Sequence, residues 1–193
     1  MRKSLVSSMA GFLRSTGQLF LVFFLVFLLG ACSSVSSAGL NSFQSQDGRY
    51  GFLYPNGWTR VAVSGGPQVV FHDLINSDET LSLVVSEVGE DIDLEELGTP
   101  ELVGGRLMEE VIAPEGTGRD VKLVKANARK TLEHTFYDLE YSVHLPDRDR
   151  HELATVVIDR GYLYTLAAST NEKRWPKVKG IFDKVITSFT FLI

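Results

Sequence analysis

The sequence holds one cysteine, Cys32, among 193 residues. An intramolecular disulfide and a thiolate metal cluster are therefore excluded. Short reaction motifs are also missing: there is no Gly-x-Ser-x-Gly, no His-Glu-x-x-His, no phosphate-binding Gly-x-x-x-x-Gly-Lys and no dinucleotide Gly-x-Gly-x-x-Gly. Gly116-Thr117-Gly118 continues into Arg119-Asp120-Val121 without a third glycine and reads as a loop. The acids of HDLINSDET, from His72 to Thr80, lack the spacing and the glycine of a calcium loop, so this stretch reads as a solvated turn. No internal repeat is present.

No acid falls in the first 31 residues, where Arg2, Lys3 and Arg14 precede the apolar run LFLVFFLVFLL from Leu19 to Leu29. A membrane-spanning helix needs about 20 apolar residues, whereas the core of a secretory signal needs roughly 7 to 15. The run therefore predicts a signal peptide over residues 1–31. Leu29-Gly30-Ala31-Cys32 resembles a bacterial lipobox, in which the cysteine is lipidated and becomes the mature N-terminus. Cys32 is expected to be a membrane anchor, and two or three acyl chains make such an anchor close to permanent.

Cleavage before Cys32 leaves 162 residues with 16 of the 19 basic and all 24 acidic side chains, a net charge of −8. That length suits one domain. The acidic balance gives no reason to expect a nucleic-acid partner. SSVSSAGLNS, from Ser33 to Ser42, has no hydrophobic period and predicts a flexible tether over residues 32–42, with the domain over 43–193.

From Phe43 the pattern is mostly strand. GRYGFLYPNGW holds an aromatic strand stopped by Pro55-Asn56-Gly57, and short strands are expected over Arg60 to Val63, Gln68 to Phe71 and Leu81 to Val88. Thr99 and Pro100 read as the cap and first residue of a helix whose apolar stripe ends before Pro114, with Gly104 and Gly105 inside it. Strand composition returns over Val121 to Ala128, Thr135 to Leu145, Leu153 to Asp159 and Tyr162 to Ala168. Pro146 to Arg150 and Arg160-Gly161 read as hairpin turns between these strands. Val178, Ile181, Phe182, Val185, Ile186 and Phe189 then form the stripe of an amphipathic helix with Pro176 in its first turn. The fold class is α+β, with helices on a mainly antiparallel sheet.

Two groups of side chains carry candidate chemistry. His144 and His151 flank the PDRDR turn, where a hairpin could bring them together with Asp147, Asp149 and Glu152 around a divalent ion, provided the register puts both rings on one face. In EKRWPKVKG, from Glu172, the residues Lys173, Arg174, Lys177 and Lys179 concentrate positive charge around Trp175, a combination suited to docking a partner's acidic surface.

GRYGFLYPNGWTRV, GTPELVGGRL and HELATVVIDRGYLYTLAASTNEKRWPKVKGIFDKVITSF resemble the PsbP family of extrinsic photosystem II proteins, from about Phe43 to Phe191. The most specific pieces are Pro55 to Trp58 and Lys173 to Trp175. With the lipobox, the chain is similar to the cyanobacterial lipoprotein branch of that family. The resemblance implies an αβα sandwich around an antiparallel sheet and a lipid-anchored place on the lumenal side of the thylakoid membrane. It implies binding to core subunits of photosystem II, in support of assembly or stability, without enzyme activity or a required cofactor. A second role it implies is a stably bound subunit that helps retain calcium and chloride at the oxygen-evolving centre; the short tether speaks against this, because plant relatives use an extended N-terminal segment. The resemblance also matches His151 and Glu172 to a histidine and an acid that could pair, or hold zinc or calcium.

Overall fold

The computed structural model describes residues 39–192, so Cys32 and the expected signal peptide lie outside the described residues. Ten strands form in the order β1 (Leu40–Gln44), β2 (Tyr50–Pro55), β3 (Trp58–Val61), β4 (Val69–Asp73), β5 (Thr80–Glu87), β6 (Asp120–Lys130), β7 (Thr135–His144), β8 (Asp149–Asp159), β9 (Tyr162–Asn171) and β10 (Thr190–Phe191). Two α-helices, α1 (Pro100–Leu107) and α2 (Trp175–Thr187), complete the domain with a 3-10 turn at Leu94–Leu97 and a π-helical turn at Met108–Ile112.

Seven strands make one sheet in the order β3-β4-β5-β9-β8-β7-β6, and every neighbouring pair is antiparallel. Strands β1, β2 and β10 form a second, three-stranded sheet. Period-2 alternation gives the large sheet two apolar faces. Phe136, Leu153, Val157, Leu166 and Ala168 face α2 and the aromatics of the small sheet. Tyr137, Leu139, Tyr141, Val143, Ala154 and Val156 face the side covered by Val103 of α1 and Leu94 of the 3-10 turn. The result is the expected α+β architecture, with a helix on each face of a central antiparallel sheet.

The local signals act as their chemistry requires. Thr99 caps α1, its hydroxyl accepting from the Leu102 amide at 3.4 Å, with Pro100 at the start of the helix. In α2 the residues Val178, Phe182, Val185 and Ile186 are buried, while Phe189 packs from beyond the helix end. At the β8–β9 hairpin both Arg160 (φ 48°) and Gly161 (φ 78°) adopt positive φ, the pairing of a type I′ turn.

Three expectations need correction. Leu40, Asn41 and Ser42 belong to β1 and pair with Pro55, Tyr54 and Leu53, so these residues are part of the folded domain, which was expected to begin only at Phe43. Polar side chains hid this strand, because its backbone pairs with β2 while most of its side chains face water. Strand β8 begins at Asp149, four residues before Leu153, because the turn occupies only the residues around Leu145 to Arg148. The apolar stripe ascribed to one long helix is split, since α1 gives way at Met108 to a wider turn.

Candidate functional site

Strands β7 and β8 and the start of α2 bring charged side chains together at one end of the domain. The register pairs Ser142 with His151 and Glu140 with Leu153, so Glu140 and His151 project from the same face, the one covered by α2. His151 is 6% exposed. Its Nε2 lies 2.9 Å from Oε1 of Glu140 and its Nδ1 lies 2.9 Å from Oε2 of Glu172. Trp175, the first residue of α2, stacks on the imidazole with ring centroids 4.0 Å apart and planes at 15°. Lys179, one helical turn on, puts its Nζ 3.6 Å from Oε1 of Glu140 and 5.2 Å from the centre of the Trp175 ring.

The basic run divides into two. Trp175 is 7% exposed, so it does not stand among the surface cations as a docking residue; its large ring is worth more against His151 and Phe182 than in water. Arg174 bonds the buried carboxylate of Glu79, to which Thr170 also donates. Lys173 and Lys177 are exposed. Among the described residues neither has a carboxylate within ion-pair distance.

The candidate ion ligands are not gathered as the turn suggested. His144 is exposed and hydrogen-bonds Asp149 directly opposite it in the ladder. Glu152 pairs with Tyr141 and therefore points to the other face of the sheet from His151. Among the described residues no three His, Cys, Asp or Glu side chains are arranged to hold a metal ion. Zinc or calcium would have to displace the hydrogen bonds that already occupy both nitrogens of His151. These residues do not fit such an ion as they stand.

Sequence reasoning missed Glu140 and Glu79 as partners. The available signal was phase: Asp138, Glu140 and Ser142 share the inward face of β7 with Phe136, where a charged side chain needs a partner. On the opposite face, burial pushes the Glu152 carboxyl up to about 7, against the opposing pull of Arg150 and Arg119. Arg150 gives its guanidinium to the Ser169 hydroxyl and to the carbonyl and carboxylate of Asp78 instead.

Comparison with known proteins adds the lineage. The CyanoP protein of Thermosynechococcus vestitus is 44% identical over 170 residues, covering 86% of this chain and 92% of that protein. CyanoP of Synechocystis sp. is 42% identical over 179 residues, covering 91% and 95%. The solution structure of the Synechocystis protein superposes with a TM-score of 0.70 at 43% identity, over 84% of this chain and 98% of that one. The family model for PsbP matches residues 38–191, all of the domain described above. The chain belongs to the PsbP family.

Proposed function

We propose that this protein is a lipid-anchored extrinsic accessory protein of photosystem II, held on the lumenal side of the thylakoid membrane, where it binds core subunits and assists their assembly or stability. The observation that carries this reading is family membership across the whole domain, joined to a Leu-Gly-Ala-Cys sequence ahead of it. Among the described residues no helix is long and apolar enough to cross a membrane; in this reading attachment is through Cys32. Acylation keeps the domain concentrated near its target, and a weak reversible interface then suffices.

The domain acts by binding. Its buried charges are spent on one another: His151 on Glu140 and Glu172, and Arg174 on Glu79. Lys173 and Lys177 are the exposed cations offered to an acidic partner surface. Affinity purification of the native protein from detergent-solubilised thylakoids tests the reading. Recovery with photosystem II assembly forms is expected, and a protein that travels with none of them ends the proposal.

A further inference from the structure

The β4–β5 turn carries two large apolar side chains that stand mostly in solvent: Leu74 is 68% exposed and Ile75 is 89% exposed. The turn is held in shape. Asp73 accepts from the Ile75 amide at 2.9 Å and from the Asn76 side chain at 2.6 Å, and the Asp73 amide donates to the Glu79 carbonyl. The turn therefore holds two adjacent apolar side chains at a preorganised tip.

Chain connectivity says what lies beside it. The Gly39 carbonyl accepts from the Asn56 amide at 2.9 Å; Asn56 leads through Gly57 into Trp58, and Trp58 pairs with Asp73, the residue before Leu74. The N-terminal root of the domain and the Leu74-Ile75 tip therefore share one end of the fold. Cys32 is seven residues before Gly39, a span of about 25 Å at full extension. A domain tied to lipid by so short a link presents its rooted end to the bilayer.

Ion pairs line this end of the domain. Asp78 is matched by Arg148 and Arg150, Asp147 by Arg148 and Glu79 by Arg174, while among the described residues Asp73, beside the tip, has no cation within ion-pair distance. Lys173 and Lys177, beside Arg174, are exposed at the same end.

We propose that Leu74 and Ile75 insert into the interfacial layer of the bilayer to which Cys32 is anchored, fixing the orientation of the domain on the membrane. The inference rests on the lipid anchor of the proposed function and adds a second, non-covalent contact to it.

The test uses the mature, acylated protein, in which Cys32 is blocked and an added cysteine is the sole free thiol. Ile75→Cys, Leu74→Cys and Leu132→Cys are each labelled with an environment-sensitive fluorophore and reconstituted on vesicles of phosphatidylcholine and phosphatidylglycerol. Leu132 tops the β6–β7 hairpin at the other end of the strands and is fully exposed, so it reports the far end. The expected result is a shift of emission to shorter wavelength, with loss of quenching by an aqueous quencher, at positions 75 and 74 and not at 132. If the protein floats with vesicles while 74 and 75 stay fully quenchable, the insertion is wrong and the anchor stands. If position 132 shifts instead, the orientation is wrong. A tip quenchable on lipid vesicles but protected in membranes containing photosystem II is a protein contact, and that also overturns the proposal. If the protein does not float, the anchor falls together with it.

Discussion

His151 lies between Glu140 and Glu172 with its ring flat on Trp175, so one imidazole ties two strands of the sheet to the first turn of α2. Removing a partner from a buried charged group leaves the rest desolvated and unpaired, which costs more than the pair itself contributes. His151→Ala is therefore expected to destabilise the domain by about 2 to 3 kcal/mol, through the hydrogen bond lost to buried Glu140, which keeps only Lys179 at 3.6 Å, and the space left under Trp175. Glu172→Gln keeps an acceptor at the more exposed position and should cost less than about 1 kcal/mol. Urea unfolding of both variants measures the difference, and equal midpoints would show that the histidine is not a tie.

Glu152 gives the domain a pH dependence of its own. Its folded carboxyl is raised to about 7 by burial, above the ordinary glutamate value, so the folded state resists its ionisation. The resulting penalty is absent at acid pH, grows as pH rises from the ordinary glutamate range, and is complete above about 7. Glu152→Gln should match the parent near pH 4 and exceed it by about 1 to 2 kcal/mol at pH 8, the lower part of what such a shift allows for a side chain that keeps some exposure. Denaturation at the two pH values checks the sign.

The two adjacent glycines of α1 should respond in opposite directions. A Cβ on Gly104 would stand 3.0 Å from one methyl of Leu123 and 3.2 Å from a methyl of Leu139, and the Gly104 carbonyl accepts from the Tyr141 hydroxyl. A Cβ on Gly105 meets open space. Gly105→Ala is expected to raise stability by up to about 1 kcal/mol through helix propensity. Gly104→Ala should lose that gain and more, because the Leu123 and Leu139 methyls must give way between α1 and the sheet. Melting temperatures moving the same way would contradict the packing argument.

Charge reversal separates folding from docking in the basic run. Arg174→Glu sets a carboxylate against buried Glu79 and is expected to cost about 3 kcal/mol of stability, so any loss of partner binding in that variant reports unfolding. Lys173→Glu and Lys177→Glu should change stability by less than about 0.5 kcal/mol and weaken recovery with photosystem II. Unfolding curves set beside co-purification yields distinguish the two effects.

The strands from Tyr50 onward were legible because β-branched and aromatic alternation coincides with explicit turn residues, as at Pro55-Asn56-Gly57 and Arg160-Gly161. The first strand was hidden because LNSFQ draws its order from backbone pairing with β2 and little from its own side chains. At the site, the pairing of His151 with Glu172 was legible only through the family resemblance, and the basic run through its clustered charge. Sequence could not supply Glu79, which reaches Arg174 across 95 positions, or the depth of Trp175, which depends on how α2 lies on the sheet. The same register rule that put Glu140 beside His151 turned Glu152 away from it.

The large sheet closes late. Its β3-β4-β5 half joins the rest only through β9, where Thr80 meets Ser169, so the central seam cannot form until nearly the whole polypeptide has emerged. Contacts so distant in sequence form slowly. A chain built this way acquires its final shape only once its last long strand is free to enter the middle of the sheet.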